Sequence, residues 1–295
     1  MIKKYLFLFA VLFGFSTGVD AQQQPAYKKF VLDNTQIVPI KSKAGRDYEL
    51  IVVLPASYYT QPEKKYPVLY YVDAYWDTPL LASTYGNLIY DNVVPEFIMV
   101  GLSYPTGTNY DKERRFDLTF SKPVGTEAAA GGAFAFLDFI KQQAAPLIET
   151  QFRGLPTDRV LSGNSLGGLF ALTAAYKSNS FFSGYIALSP AVEWDNKALL
   201  KLDEAYAQKN KTLNARIFVS YGSAEYAPFR DPIIQYQKYL AAKKYQGLEL
   251  QNYVMDGLDH TGIKGDGYVR GLMWVWKPKK PTGPSGLERG FTGAK

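Results

Sequence analysis

The fold of this chain is decided by Asp158-Arg-Val-Leu-Ser-Gly-Asn-Ser-Leu-Gly-Gly-Leu-Phe-Ala-Leu172, a short apolar strand that runs straight into a helix. Its centre, Gly163-Asn-Ser165-Leu-Gly167, has the pattern of a nucleophile elbow, in which glycines leave room for a sharp, strained turn. The N-terminus of the following helix offers free N–H groups and a partial positive charge. The pattern predicts that Ser165 is a nucleophile and that the N–H of Leu166 stabilises an oxyanion.

Strands and helices alternate along the rest of the chain. Strands are predicted at 30–40, 48–55, 66–73, 97–102, 183–190, 215–222 and 248–255, helices at 133–152, 232–244 and 267–276, and a loop with an amphipathic helix at 191–208. This alternation predicts a single α/β domain with a mostly parallel central sheet and helices on both faces. Its site should lie beyond the carboxyl ends of the strands.

A serine hydroxyl needs a neighbouring base, and the chain contains one histidine, His260, after the last predicted strand. An α/β-hydrolase places its base there, in the chain order serine, acid, histidine. The acid should follow the preceding strand, where Glu225 is the first candidate and Asp231 the second. Asp256, in the histidine's own loop, stays open as a third, whereas Asp259 is expected to be a solvated turn residue.

The remaining site residues are expected in loops at the same edge of the sheet. The second oxyanion donor should be the N–H of Ala74 or Tyr75, in a predicted loop at 73–77. A long loop at 106–132, which contains Arg114, is expected to shape the binding site. Aromatic side chains at Trp76, Trp194, Tyr226 and Phe229 form an apolar wall for the substrate or serve ordinary packing.

Composition and charge narrow the function classes. The net charge of +6 lies mostly near the two ends of the chain, which leaves a nearly neutral body and no predicted nucleic-acid-binding face. The absence of cysteine excludes disulfides and thiolate metal sites. The chemistry predicted here requires no metal and no organic cofactor.

The two ends of the chain differ in composition from the body. Residues 1–21 combine a basic start, a short apolar run and small residues before Gln22, which predicts a cleaved signal peptide, with an uncleaved anchor as the alternative. The mature domain then covers 22–277, and 278–295 is predicted to be a flexible, basic tail rich in proline and glycine. We expect an exported bacterial protein, periplasmic or extracellular, with no stable membrane insertion.

Several blocks together resemble the putative esterase family of α/β-hydrolases. These blocks are Leu54-Pro-Ala-Ser-Tyr-Tyr59, Tyr66-Pro-Val-Leu-Tyr-Tyr-Val-Asp73, Phe136-Leu-Asp-Phe-Ile140, Ser165-Leu-Gly-Gly-Leu-Phe170 and Ser189-Pro with Trp194-Asp195. The family includes esterase D-like enzymes, feruloyl and acetylxylan esterases and enterobactin-type siderophore esterases. The resemblance implies carboxylic ester hydrolysis, with Ser165 and His260 as nucleophile and base and Glu225 in the region of the acid.

The family's Arg-x-Arg-Asp loop is represented here by Arg114-Arg-Phe-Asp117, in which Phe116 replaces the second arginine. Together, the residues and the resemblance predict a serine carboxylesterase that forms an acyl-enzyme. Acylated carbohydrates, aryl esters and siderophore-type esters are the candidate substrates. Acyl transfer by the same triad and a non-catalytic binding module on this fold are the alternatives.

Overall fold

The computed structural model describes residues 27, 28, 30–178 and 180–293, and a sheet of eight strands is its central feature. The strands are β1 Thr35–Lys41, β2 Asp47–Val53, β3 Tyr66–Tyr71, β4 Ile98–Ser103, β5 Gly154–Asn164, β6 Gly184–Leu188, β7 Thr212–Gly222 and β8 Gln246–Met255. Their order is β1-β2-β4-β3-β5-β6-β7-β8. The β1–β2 and β2–β4 pairs are antiparallel and all the others are parallel, which confirms the predicted mostly parallel sheet.

Helices follow most of the strands. They are α1 Ala74–Tyr90, α2 Tyr110–Leu118, α3 Ala133–Phe139, α4 Ala145–Gln151, α5 Leu166–Lys177, α6 Trp194–Ala207, α7 Ala227–Lys243, α8 Lys264–Val275 and α9 Gly286–Thr292. A π-helical turn at Ile140–Ala144 joins α3 to α4 and interrupts the stretch predicted as one helix over 133–152. The first turn of α6 contains three consecutive left-handed residues, Asp195, Asn196 and Lys197.

The central strands are apolar on both sides because helices cover both faces of the sheet. In β3, Val68 and Tyr70 pack into one hydrophobic cluster, whereas Leu69 and Tyr71 pack into the cluster on the opposite face. Side chains alternate between the faces along a strand, so a strand buried on both faces reads as a continuous apolar run. This pattern made the central strands recognisable in the sequence.

Two predicted loops are wrong because they contain helices. The 73–77 stretch is the first turn of α1, whose aromatic composition and internal Pro79 hide a helical pattern. The 106–132 stretch contains α2, in which charged residues occupy most positions and leave only Asp117 and Leu118 buried. The side chain of Asn109 caps α2 by accepting a hydrogen bond from the N–H of Lys112.

The predictions for the two ends of the chain have different outcomes. The predicted signal peptide, 1–21, lies outside the described residues. The chain divides into two units, Met1–Asp33 and Asn34–Lys295. Within the segment predicted to be a flexible tail, α9 begins with a capping box between Ser285 and Glu288. No helix in the described part of the chain is both long enough and apolar enough to cross a bilayer.

Candidate active site

Ser165 occupies the turn between β5 and α5 in a strained backbone conformation, with φ 60° and ψ −120°. The turn requires glycine on its strand side, because a Cβ at Gly163 would lie 2.5 Å from the carbonyl carbon of Gly167. The Ser165 N–H donates to the carbonyl oxygen of Leu188 at 3.0 Å, and the N–H of Ala191 donates to the Ser165 carbonyl at 3.0 Å. These bonds fix the elbow to the end of β6.

His260 and Glu225 are in contact at the same edge of the sheet. His260 Nδ1 lies 3.1 Å from Glu225 Oε2. The other carboxylate oxygen, Oε1, accepts a hydrogen bond from the Gly222 N–H at 2.7 Å and another from the Ser189 hydroxyl. The Glu225 side chain is only 1% exposed, whereas that of His260 is 38% exposed. The carboxylate is thus a buried anchor for a ring that reaches the surface.

Backbone hydrogen bonds hold the Glu225 loop against the His260 loop. The N–H of Ser223 donates to the carbonyl of Met255, and the N–H of Ala224 donates to the carbonyl of Leu258, each at 3.0 Å. β7 and β8 are neighbouring parallel strands, so the two loops leave the sheet side by side. The contact between carboxylate and imidazole therefore follows from main-chain geometry.

Hydrogen bonding keeps Glu225 ionised. Burial raises the pKa of Glu225, but the hydrogen bonds from His260, Gly222 and Ser189 outweigh it and hold the pKa below its usual value. A hydrogen bond to a carboxylate places a proton on His260 Nδ1 and leaves Nε2 available as a base. Phe229 packs edge-on against the imidazole, with 4.6 Å between the ring centroids.

The other acid candidates have different partners. Asp231 forms an exposed ion pair with Arg230. Asp256 accepts a hydrogen bond from the Ser223 hydroxyl at 2.9 Å, and Asp259 accepts one from the N–H of Gly262 at 2.9 Å. Of the carboxylates considered from the sequence, Glu225 is the one in contact with His260.

The predicted oxyanion donors lie at two neighbouring helix N-termini. Ala74 and Tyr75 form the start of α1, after β3, and Leu166 is the first residue of α5, after β5. N–H groups in the first turn of an α-helix have no intrahelical acceptor, so these positions are suited to bind an anion. β3 and β5 are paired parallel strands, which brings both helix starts to the same edge.

The predicted aromatic wall is only partly assembled. Trp76 and Tyr226 are exposed, at 61% and 78%. Trp76 contacts the ring of Tyr110, with centroids 5.2 Å apart. The indole N–H of Trp194 donates to the carbonyl of Ser121 at 3.1 Å, so this side chain has a packing role. Trp76 and Tyr226 therefore remain the rings available to a ligand.

The side chain of Arg114, predicted to bind substrate, is paired with a buried aspartate. Arg114 Nε lies 2.6 Å from Asp73 Oδ1 and Nη2 lies 2.8 Å from Asp73 Oδ2. Asp73 is the residue before α1 and has a left-handed conformation, with φ 58° and ψ 36°. Two of the guanidinium nitrogens are thus occupied by the protein itself.

Sequence reasoning missed three polar residues at this edge: Ser189, Asp73 and Glu193. Ser189 directly follows β6, and its position at a strand end is the signal that could have identified it. Glu193 Oε2 is buried and has no hydrogen-bond partner among the described residues. Burial raises the pKa of Glu193, while the nearby charge of His260 acts in the opposite direction. Glu193 is therefore a second carboxyl group whose ionisation is affected by the charge of His260.

In the described part of the chain, no group of three or more histidine, aspartate and glutamate side chains is arranged to hold a metal ion.

Comparison with known proteins identifies the family of this chain. The model of a family described as putative esterase matches residues 42–246. A ferri-bacillibactin esterase of Bacillus subtilis is 24% identical over 278 residues, 85% of this chain and 93% of that protein. A siderophore triacetylfusarinine C esterase of Aspergillus fumigatus is 37% identical over 142 residues, 45% of this chain and 47% of that protein.

The fold is also found among solved structures. The BES protein from Bacillus cereus superposes with a TM-score of 0.76 at 25% identity, over 84% of this chain and 97% of that one. The α/β-hydrolase architecture and the family resemblance that the sequence predicts are both confirmed.

Proposed function

Because the chain belongs to the putative esterase family, we propose that it hydrolyses carboxylic esters through Ser165, His260 and Glu225. The observation that carries this proposal is the hydrogen bond between His260 and Glu225, 3.1 Å long, at the edge of the sheet that holds the elbow. Glu225 orients the imidazole and stabilises its protonated form. His260 in turn activates the hydroxyl of Ser165.

The first half-reaction forms an acyl-enzyme. His260 Nε2 takes the proton of the Ser165 hydroxyl while Oγ attacks the ester carbonyl carbon. The resulting oxyanion accepts hydrogen bonds from the N–H of Leu166 and from the start of α1. The tetrahedral intermediate then collapses, the C–O bond to the alcohol breaks, and His260 returns the proton to the departing alcohol.

The second half-reaction releases the acid. His260 takes a proton from water, and the hydroxide attacks the acyl carbon. Collapse of this intermediate breaks the bond to Ser165 Oγ, which receives the proton back from His260. The products are one alcohol and one carboxylic acid, and no redox step or added group is needed.

For the substrate class we propose siderophore-type esters. The support is that two relatives are named for such activity, as a ferri-bacillibactin esterase and a triacetylfusarinine C esterase. The exposed rings of Trp76 and Tyr226 offer apolar surface for a bulky acyl or aryl group. Both rings belong to segments that begin at the strand ends carrying the site.

The test is a panel of esters with product detection by mass spectrometry. It contains iron-loaded and iron-free tricatecholate trilactones, a hydroxamate siderophore ester, methyl ferulate and acetylated xylan, each with the wild type and with Ser165→Ala. We expect kcat/KM to be highest for a siderophore ester and to vanish in the variant. A preference for ferulate or acetylated xylan would overturn the substrate assignment and leave the catalytic assignment standing.

We also propose that the protein is exported after removal of residues 1–21, on the strength of the basic and apolar pattern there. The measurement is the N-terminal residue of the protein recovered from the periplasm of expressing bacteria. We expect Gln22. Recovery of a cytoplasmic protein that still begins at Met1 would contradict export.

A further inference from the structure

We propose that Arg114 and Asp73 form a positioning pair that holds the oxyanion-binding turn of α1 in place beside the nucleophile elbow. The inference deepens the proposed function and rests on the assignment of Ser165 as nucleophile. In this proposal neither residue contacts the reacting atoms. They act through the backbone groups that they hold.

The pair has the geometry of a strong, buried ion pair. Nε and Nη2 of Arg114 contact separate oxygens of Asp73, at 2.6 and 2.8 Å. The side chains are 16% and 3% exposed. A third group, the hydroxyl of Tyr110, donates to Asp73 Oδ1 at 3.1 Å. Two-point guanidinium–carboxylate pairing fixes orientation as well as distance, which a lysine could not do.

The same guanidinium also reaches the elbow. Arg114 Nη2 lies 3.5 Å from the carbonyl oxygen of Asn164, the residue before the nucleophile. The turns themselves are in close approach, because a Cβ at Gly167 would lie 2.5 Å from Val72 Cγ2 and 3.7 Å from Asp73 Oδ2. Arg114 therefore contacts both turns from which the oxyanion donors are expected.

The ion pair acts at Asp73, the residue on which the direction of the first α1 N–H groups depends. It directly precedes Ala74, so its φ and ψ set the direction in which the first N–H groups of α1 point. Its left-handed conformation costs free energy for a residue with a side chain, although aspartate tolerates it better than most. The bonds from Arg114 and Tyr110 hold the residue in that conformation.

The expected function of the pair is pre-organisation. Oxyanion donors contribute when they are already aimed at the position where negative charge develops, at no cost of reorganisation during the reaction. Loosening the α1 turn should therefore raise the energy of the transition state and leave binding of the uncharged ester almost unchanged.

The experiment compares Arg114→Met, Asp73→Asn and the double variant with a matched control, Arg159→Met. Arg159 lies midway along β5, is similarly buried, and also contacts a carboxylate and a backbone carbonyl, those of Glu149 and Phe181. Each protein is assayed with a 4-nitrophenyl ester for kcat and KM. The inhibition constant of an aryl trifluoromethyl ketone, whose adduct with serine carries an oxyanion, is measured in parallel.

We expect kcat to fall by about 100-fold in either single variant and hardly further in the double variant, with KM within about threefold. The inhibition constant should rise in the same proportion as kcat/KM falls. Arg159→Met should lose thermal stability but keep kcat within about twofold. Tyr110→Phe removes one bond to Asp73 and should lower kcat less, which provides a milder variant if the others fold poorly.

Three outcomes would overturn the inference. A raised KM with unchanged kcat would make Arg114 a substrate-binding residue. An equal loss of kcat in Arg159→Met would show that the pair contributes only to general stability. Unchanged inhibition by the ketone would show that the pair does not affect oxyanion binding. Retained hydrolysis by Ser165→Ala is a different failure, since it would remove the proposed catalytic assignment itself.

Discussion

Gly222 and Leu258 lie so close together that a Cβ on Gly222 would be 2.1 Å from the Leu258 carbonyl oxygen. Gly222 ends β7, three residues before Glu225, and Leu258 lies two residues before His260. The absence of a side chain at this one position lets the acid loop and the base loop leave the sheet in contact.

Gly222→Ala should push these loops apart and lengthen the contact between His260 and Glu225. We expect kcat to fall by at least about 100-fold and the melting temperature to drop by several degrees. Steady-state kinetics and thermal unfolding provide the measurements. Gly265→Ala in α8 is the control, because its Cβ would meet no atom within 4 Å, and it should be neutral or slightly stabilising. Equal activity in the two variants would contradict the role of the close approach.

Ser165→Ala should abolish ester hydrolysis, with kcat reduced by about a million-fold when nucleophile and base act as a unit. A fluorophosphonate probe should label the wild type and fail to label the variant, as read by intact-protein mass spectrometry. Labelling of Ser189 instead would show that Ser165 is not the nucleophile. Circular dichroism of the variant verifies that the fold is kept.

Glu225→Gln should lower kcat by about 10⁴-fold, because an amide in place of the carboxylate no longer stabilises the imidazolium. KM should change little, since Glu225 is buried beneath His260. Asp231→Asn is the matched control, and we expect it to retain nearly full activity because Asp231 pairs with Arg230 at the surface. A larger loss of kcat in Asp231→Asn than in Glu225→Gln would assign the role of the acid to Asp231.

Asp117 should make stability fall as pH rises. Burial raises the pKa of Asp117 from 3.8 to about 6, against the opposing effects of Arg46 and Tyr48. Between these values the unfolded chain releases the proton first, so folding loses free energy with increasing pH. Relative to Asp117→Asn, the wild type should lose about 2 kcal/mol of unfolding free energy between pH 4 and pH 7. Urea titrations across that range measure the difference.

A pH-independent difference between these two proteins would contradict the raised pKa of Asp117.

The parts of this site that the sequence reveals are those encoded locally. The elbow at Ser165 is a contiguous motif, and His260 is identifiable because it is the single histidine and follows the last strand. The central strands are recognisable because burial on both faces leaves an unbroken apolar run. Each of these signals lies within about ten residues of chain.

The remaining parts depend on contacts between distant segments. Asp73 and Arg114 are separated by 41 residues, and Arg114 belongs to a helix whose charged composition conceals its period. The hydroxyl of Ser189 approaches Glu225 only because β6 and β7 are paired. Aromatic composition likewise conceals the start of α1, so the sequence predicts a loop at Trp76 where the structure has a helical turn.

Two main-chain hydrogen bonds join the loops that carry Glu225 and His260, and the Ser223 side chain adds bonds to Asp256 and to the Gly257 N–H. The alignment of acid and base therefore depends on few side chains of those loops. Exposed positions there other than Ser223 and Asp256 can be varied in a library without disturbing the geometry of proton transfer. Substrate preference in this enzyme can therefore evolve, or be redirected by an engineer, at little cost to turnover.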